Sequence, residues 1–224
     1  MVDASAARRV SISGLYALTP EVADTASLTG RVAAALAGGA CAVQYRNKTA
    51  PAMVKLGQAL ALRKLCADHG AMFIVNDDLE LAVAASADGV HLGRDDASIA
   101  VARKRLGSKA LIGASCYDSL ARADAAVGAG ADYIAFGSFF ASKVKPNAIR
   151  PQISLLSAAR TRWGVGIVAI GGITPFNAGP LLAAGADALA VISALFDAAD
   201  LRGVEGAARA FAALFDSQRV GHSA

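Results

Sequence analysis

The stretch AAGADALAVIS, residues 183–193, contains the pattern that decides the fold. A glycine that can end a helix is followed by a small residue, an acidic residue and a short apolar run. Related junctions recur at AGGAC (37–41), SADGV (86–90) and GAGADY (128–133). Each junction therefore predicts the end of a helix and the start of a buried strand.

Apolar runs of strand length alternate with Ala-rich amphipathic stretches along most of the chain. The runs are GLYALT (14–19), CAVQYR (41–46), MFIVN (72–76), GVHLG (89–93), LIGASC (111–116), YIAFGSF (133–139), GIVAIGG (166–172) and ALAVIS (188–193). Eight strand–helix units predict a (β/α)8 TIM barrel, an α/β fold, more readily than a doubly wound open sheet. The open sheet stays an alternative because periodicity does not show which strands are neighbours.

The stretches between the apolar runs are expected to be helices, and the chain as a whole is expected to be one domain. MVKLGQALALRKLCADHG (53–70) is expected to be a helix with Leu56 and Leu60 among its apolar positions. No low-complexity linker divides the chain, so we expect residues 1–224 to form a single TIM-barrel domain. Residues from about 1 to 13 are expected to be a flexible N-terminal extension.

The composition favours a globular protein over a disordered or membrane-spanning one. Of 224 residues, 55% are apolar, which indicates a packed globular core and excludes a disordered chain. No apolar run approaches the roughly 20 residues that a membrane span needs, so no membrane partner is expected. The N-terminus lacks the apolar core of a secretory signal, which predicts a cytoplasmic protein. Three cysteines without metal-ligand spacing are expected to be small buried thiols in a reducing compartment.

The net charge of +4 is compatible with an anionic partner. No basic cluster with interleaved aromatic residues supports a nucleic-acid partner. The positive excess could equally serve a small, highly anionic substrate.

Polar residues lie where the predicted strands end, which is where TIM-barrel active sites are found. The stretch CAVQYRNK places Gln44, Arg46 and Lys48 at alternate positions, which predicts that they share one face of a strand. An arginine pointing into a barrel mouth without a partner would cost several kcal/mol. Arg46, Lys48 and Lys145 come from different loops, as expected around a pyrophosphate, although Lys48 could instead be solvated surface charge.

The predicted seventh and eighth strands end in a pattern typical of phosphate binding. Gly172 lies in the stretch GGIT, followed by Pro175, and Ser193 would begin a short helix. Thr174 is a plausible cap for a helix that starts at Pro175. The alternative is an ordinary turn followed by two capped helices.

Acidic residues end the third and fourth runs. Asp77 and Asp96 could hold Mg²⁺, which takes one or two carboxylates together with substrate phosphates. The alternative is that these aspartates cap or compensate the dipole of the following helix. Asp78 and Asp95 are better suited to that second role.

His91 lies within an apolar strand. A hydrogen-bonded core histidine is favoured over a catalytic base, and no Ser–His–Asp or Cys–His arrangement is evident. Chemistry that ionises a phosphorylated leaving group fits these residues better than nucleophilic catalysis.

The motifs QYRNK, VNDD, GVHLGRDD, IGAS, FGSFFASKVK, IVAIGGIT and AVIS, in this order and spacing, resemble those of thiamine phosphate synthases. The resemblance runs from about Gly14 to Ser193. It implies a TIM barrel that joins a hydroxymethylpyrimidine diphosphate to a thiazole phosphate and releases pyrophosphate.

The resemblance also implies roles for individual residues at matching positions. It assigns the pyrimidine diphosphate to Gln44, Arg46, Lys48, Asn76, Ser115 and Lys145. It assigns the thiazole phosphate to Ser142, Lys143, Val144, Gly172, Ile192 and Ser193. The implied cofactor is Mg²⁺ on Asp77 and Asp96, and the implied catalytic residues are Arg46, Lys48, Ser115 and Lys145.

Two positions depart from the family's pattern. Val144 stands where a second Thr is usual, so we expect weaker binding of the thiazole phosphate with activity retained. Arg94 stands where Gln is common, and could add a cation near the metal or point to solvent. The alternatives are a thiazole tautomerase-like barrel and a non-catalytic binding protein for thiamine intermediates; a homo-oligomer is left open.

Overall fold

The computed structural model describes residues 12–141 and 149–221, with side chains to residue 216. Of the expected site residues, Ser142, Lys143, Val144 and Lys145 lie outside the described residues. Most of the expected N-terminal extension lies outside them as well.

The predicted TIM barrel is confirmed. Eight parallel strands in the described part of the chain close into a barrel in sequential order, β1 pairing with β2 and β8 pairing with β1. The strands are β1 (Gly14–Leu18), β2 (Ala40–Tyr45), β3 (Met72–Asn76), β4 (Gly89–Leu92), β5 (Leu111–Tyr117), β6 (Tyr133–Phe136), β7 (Gly166–Ile170) and β8 (Ala188–Val191). Each overlaps the apolar run expected for it.

Helices surround the barrel and return the chain to the next strand. They are α1 (Thr25–Ala37), α2 (Ala52–Asp68), α3 (Leu79–Ala84), α4 (Ile99–Leu106), α5 (Leu120–Gly128), α6 (Ser154–Arg162), α7 (Gly179–Ala183), α8 (Ser193–Phe196) and α9 (Leu201–Gly221). None of the described helices is long and apolar enough to cross a membrane.

The expected buried face of α2 is wrong in part. Leu60 is half exposed, and the buried face instead runs through Ala59, Leu62 and Cys66. Gln58 is also fully buried there, because its amide donates to the carbonyl oxygens of Val22 and Ala23 and its Oε1 accepts from the Tyr45 hydroxyl. A buried amide breaks the apolar periodicity from which the face was predicted.

The recurring helix–strand junctions form a repeated contact at the amino-terminal end of the barrel. Asp88, Asp132 and Asp187 each precede an even-numbered strand and accept a backbone N–H from the strand before it. Each carboxylate also pairs with an arginine of the preceding even-numbered helix, namely Arg63, Arg103 and Arg160. We call these three Asp–Arg pairs the junction pairs.

The junction before β2 has glycines in place of the aspartate. A Cβ on Gly38 would lie 2.5 Å from the Ala208 Cβ, so the glycine allows α9 to pack closely there. Before β2, α9 therefore packs against the glycines, whereas a junction pair is found before β4, β6 and β8.

Two layers of apolar side chains fill the molecule. One lies between the strands and the helices, and the other fills the barrel interior, where Ile12, Tyr16, Ile74, Tyr133 and Val168 are buried. The expectation of buried cysteines holds for Cys66 and Cys116 and is wrong for Cys41, which is exposed because it faces outward at the start of β2.

Candidate active site

A cavity of about 420 Å³ opens at the carboxyl ends of the strands. Its lining includes Tyr16, Gln44, Arg46, Asn76, His91, Ser115, Ser138, Gly171, Gly172, Thr174, Ile192 and Ser193. The structure thus brings together the predicted site residues Gln44, Arg46, Asn76, Ser115, Gly172, Ile192 and Ser193.

A second cavity of about 230 Å³ adjoins the first. Lys48, Lys55 and Asp77 lie along it, and Asn76 lines both cavities. The expectation that Lys48 shares a face with Gln44 and Arg46 needs correction, because β2 ends at Tyr45 and the chain turns before Lys48.

Thr19 holds the backbone of Arg46 at the mouth of the main cavity. The Thr19 hydroxyl accepts from the Arg46 N–H at 3.0 Å and donates to the Arg46 carbonyl oxygen at 3.3 Å. The guanidinium donates to Glu21 at 2.9 Å, and Glu21 also accepts from the Thr49 hydroxyl. Arg46 is therefore placed before any anion binds, with a carboxylate that keeps its charge compensated.

The carboxylates of Asp77 and Asp96 face each other beside Lys48. The Lys48 ammonium lies 3.3 Å from an Asp77 oxygen, and the Gly93 N–H donates to Asp96 at 2.6 Å. Burial raises the pKa of Asp96, the hydrogen bond from Gly93 opposes this, and the Asp77 carboxyl adds to the rise. A cation bound between these two close carboxylates would stabilise their negative charges.

Asp77 has an unusual backbone conformation. Its φ is +62°, in the left-handed region that few residues other than glycine and asparagine adopt. Its N–H donates to the His91 carbonyl oxygen at 2.8 Å, which joins the end of β3 to β4. This contact brings the carboxylate of Asp77 toward the loop that carries Asp96.

The roles expected for Asp78 and Asp95 turn out differently. Asp78 caps α3 by accepting from the Leu81 N–H at 2.9 Å, as expected. Asp95 does not cap α4, because Ser98 does so and Asp95 pairs instead with Arg94 in solvent. Arg94 accordingly fits the solvent-facing alternative.

Side chains from five strands are hydrogen-bonded in sequence at the floor of the main cavity. The Gln44 amide donates to the Tyr16 hydroxyl at 2.7 Å, and the hydroxyls of Tyr16 and Tyr133 lie 3.0 Å apart. His91 Nδ1 lies 3.1 Å from the Tyr133 hydroxyl, and its Nε2 lies 2.9 Å from the Ser115 Oγ. We call these five residues the floor chain.

The floor chain agrees with the interpretation of His91 as a hydrogen-bonded core histidine. Burial raises the pKa of both Tyr16 and Tyr133, so both stay protonated near neutral pH. The sequence analysis missed the two tyrosines. Their inward-facing positions in β1 and β6 were readable, but nothing showed that they meet across the barrel.

The loops after β7 and β8 provide the other end of the main cavity. Gly172 has φ +62°, and a Cβ there would lie 2.3 Å from the Ala141 carbonyl oxygen, so only glycine allows the sixth loop to approach so closely. Ser193 begins α8, as expected. The helix expected at Pro175 is wrong, because Asn177 accepts from the Thr174 N–H in a turn and α7 begins only at Gly179.

A model of the thiamine monophosphate synthase family matches residues 15–195. The chain belongs to this family. The match covers the eight strands except for the first residue of β1, and it confirms the family expected from the sequence motifs.

Individual relatives agree with this assignment. The thiamine-phosphate synthase of Chromobacterium violaceum is 55% identical over 207 residues, which cover 92% of this chain and 98% of that protein. The thiamine-phosphate synthase of Thiobacillus denitrificans is 57% identical over 189 residues, which cover 84% of this chain and 90% of that protein.

A solved structure shows the same architecture. The thiamine phosphate pyrophosphorylase of Pyrococcus furiosus superposes with a TM-score of 0.79 at 35% identity, over 91% of this chain and 96% of that chain. Family membership and the barrel fold therefore rest on both sequence and structure.

Proposed function

We propose that this chain is a thiamine phosphate synthase, a transferase that joins 4-amino-2-methyl-5-(diphosphooxymethyl)pyrimidine to thiazole phosphate and releases pyrophosphate. The observation that carries the proposal is that Arg46 on the main cavity lies close to Lys48 and Asp77 on the adjoining second cavity, with Asp96 beside Asp77, in a chain of this family. Two cations and two carboxylates in this arrangement suit a diphosphate with a divalent cation.

The departing pyrophosphate would be stabilised from one side of the barrel. Arg46 and Lys48 lie on the loop after β2, and we assign Lys145 to the same task. Charge that develops on the leaving group is stabilised most by groups already in place, and the Thr19 contacts hold the Arg46 backbone in position. Glu21 and Asp77 balance these cations until the diphosphate replaces them as partners.

Asp77 and Asp96 fit Mg²⁺. Two carboxylate ligands leave the remaining positions to water and substrate phosphate, which is the usual arrangement for this ion. When bound, Mg²⁺ would neutralise negative charge on the diphosphate and favour its departure. Burial and the neighbouring Asp77 carboxyl raise the pKa of Asp96, and a cation bound there would oppose both effects.

The pyrimidine would lie over the floor of the main cavity, against Gln44, Asn76 and Ser115. Departure of pyrophosphate leaves a cation at the pyrimidine methylene, which the electron-rich aminopyrimidine stabilises. The thiazole nitrogen then attacks that carbon while its phosphate is held at the other end of the cavity by Gly172, Ile192 and Ser193. Because both reactants are held in one cavity, positioning supplies much of the acceleration and no side-chain nucleophile is needed.

The loop from Ser142 to Val144 belongs to the same proposal as part of the thiazole-phosphate site. Gly172, which we assign to the same site, lies against the carbonyl oxygen of Ala141, the residue just before this loop. The cytoplasm is the proposed location, since the three cysteines are free thiols.

The test is an assay of the purified protein with both phosphorylated heterocycles and Mg²⁺. We expect thiamine phosphate and pyrophosphate in equal amounts, and no product when either heterocycle is left out. Folded protein, checked by circular dichroism, that forms neither product would refute the synthase activity. Conversion of the thiazole phosphate without the pyrimidine partner would also refute it.

A further inference from the structure

The floor chain crosses the barrel interior and connects two residues that line the main cavity. Gln44 stands at one end and Ser115 at the other, with Tyr16, Tyr133 and His91 between them. The rings pack as well as bond, since His91 stacks on Tyr133 with centroids 5.5 Å apart and Tyr16 meets Tyr133 edge-on at 6.2 Å. These contacts leave the ring positions little freedom.

Gly113 makes room for the centre of the floor chain. A Cβ at Gly113 would lie 2.0 Å from Cζ of Tyr133 and 2.4 Å from its hydroxyl oxygen. The glycine of the IGAS motif is therefore required by the position of Tyr133, one strand away, and not by a turn.

The hydrogen bonds of the floor chain have a single consistent direction. The Gln44 amide nitrogen can only donate, so Tyr16 accepts from it. Among the described residues, the remaining partner for the Tyr16 hydrogen is the Tyr133 hydroxyl, and a buried hydroxyl that fails to donate is costly. Tyr133 then donates to Nδ1 of His91.

The direction continues to Ser115. A neutral imidazole that accepts at Nδ1 carries its hydrogen on Nε2, so His91 donates to the Ser115 Oγ. The hydrogen of Ser115 is then left to point into the main cavity. At the other end, Gln44 uses its side-chain nitrogen for Tyr16, which leaves its side-chain oxygen Oε1 as the acceptor that faces the main cavity.

We propose that Tyr16, Tyr133 and His91 are positioning residues that fix the polarity of the main cavity, with an acceptor at Gln44 and a donor at Ser115. This inference deepens the proposed function and rests on it. An aminopyrimidine presents a donor at its amino group and acceptors at its ring nitrogens, which is the complementary pattern. The floor chain thereby orients the pyrimidine through the acceptor and the donor that it sets at its two ends.

A kinetic test uses Tyr133→Phe, which keeps the ring and removes the hydroxyl at the centre of the floor chain. We expect kcat/KM for the pyrimidine diphosphate to fall by about tenfold or more, the loss of about one hydrogen bond's net contribution. The KM for thiazole phosphate and the affinity for pyrophosphate with Mg²⁺ should stay within about twofold of the wild-type values.

The control is Thr29→Val, which removes a hydroxyl that donates to the Thr25 carbonyl oxygen within α1, on the outside of the barrel. It should leave all three kinetic quantities unchanged. His91→Gln, which can still donate to Ser115, should keep more activity than His91→Ala. Equal losses in both His91 variants, or a Tyr133→Phe enzyme with unchanged kcat/KM, would overturn the proposal.

A second measurement does not depend on activity. The ¹⁵N spectrum of the folded protein should show His91 neutral, with hydrogen on Nε2 and none on Nδ1, and Tyr133→Phe should weaken that preference. His91→Gln identifies the signals among the three histidines. A hydrogen on Nδ1 would overturn the proposed direction even if the protein is an active synthase, whereas an inactive protein with the expected tautomer would refute only the proposed function.

Discussion

Arg46 is held in place at the mouth of the main cavity by contacts to both its backbone and its side chain. Its backbone is held by two hydrogen bonds with the Thr19 hydroxyl, and its guanidinium is paired with Glu21 at the cavity mouth. The side chain is only a quarter exposed, so its charge acts in partly desolvated surroundings. Under the proposed function, we expect this charge to contribute more to transition-state stabilisation than to folding.

Arg46→Ala should therefore lower kcat/KM for the pyrimidine diphosphate by about 10²-fold or more, the order observed when one preorganised donor is removed. The midpoint of thermal unfolding should change little, because the Thr19 contacts involve only the backbone of Arg46. Steady-state kinetics and a thermal melt measure the two effects.

The control for this variant is Arg105→Ala, which removes an exposed arginine paired with Glu80 on the outside of the barrel. It should leave turnover unchanged. An Arg46→Ala protein that unfolds, with normal turnover in its folded fraction, would show that Arg46 is structural.

Residue-level prediction from the sequence succeeded where strand position alone decides the outcome. Gln44 and Arg46 line the main cavity because they end β2, as the alternation indicated. Lys48 faces Asp77 instead, because a turn precedes it. Glu21 was not found, since its pairing with Arg46 depends on the relative placement of two loops that no local pattern records.

At the scale of elements, the junction pairs connect β4, β6 and β8 to the strand before each of them and to the preceding even-numbered helix. Asp132 has the least exposed carboxylate of the three, at 9%, against 34% for Asp88 and 33% for Asp187. It accepts from the Ile112 N–H at 2.8 Å and pairs with Arg103. Loss of this carboxylate leaves the Ile112 N–H without its acceptor and removes the negative charge that compensates Arg103.

Asp132→Ala should lower the free energy of unfolding by about 2–4 kcal/mol, since it removes a buried ion pair and a hydrogen bond to the backbone. Urea unfolding followed by circular dichroism measures this change. The effect belongs to stability, because the pair lies at the opposite end of the barrel from the site.

Asp88→Ala is the comparison for this prediction. It removes the same contacts from a more exposed pair, so the loss should be smaller. A larger loss for Asp88→Ala than for Asp132→Ala would contradict the argument that burial sets the contribution of a junction pair.

The elements themselves could be predicted because apolar runs and glycine junctions repeat. Errors arose where a polar residue is buried or where a turn replaces a helix. Leu60 was misplaced because Gln58 occupies the buried face of α2, and Thr174 was misread as a cap because Asn177 closes the turn first. Both outcomes depend on partners supplied by other parts of the chain.

At the scale of the whole molecule, the barrel brings side chains that follow different strands together at the carboxyl ends of the strands. The pairing of β1 with β8 closes the barrel. Hydrophobic periodicity does not show which strands are neighbours, so closure was predicted from the number of strand–helix units, which is eight. The same closure brings Tyr16 to Tyr133, a pair separated by 117 residues.

Mg²⁺ with pyrophosphate should raise the midpoint of thermal unfolding, because a ligand that binds only the folded protein stabilises it by about 2.7 kcal/mol at 100 times its dissociation constant. Asp96→Asn removes one expected Mg²⁺ ligand and should reduce this rise. Differential scanning calorimetry with and without the ligands measures it.

The same experiment on Asp95→Asn provides the control, since that carboxylate is exposed and pairs with Arg94. It should respond to the ligands as the wild-type protein does. An undiminished response of Asp96→Asn would exclude Asp96 as a metal ligand.

The most direct test of the account is a crystal structure of the protein grown with Mg²⁺ and pyrophosphate. The account predicts pyrophosphate against Arg46 and Lys48, with Mg²⁺ bound by Asp77 and Asp96 and by the pyrophosphate oxygens. Pyrophosphate bound elsewhere, for example only at the glycine loop after β7, with no metal between the two aspartates, would contradict it.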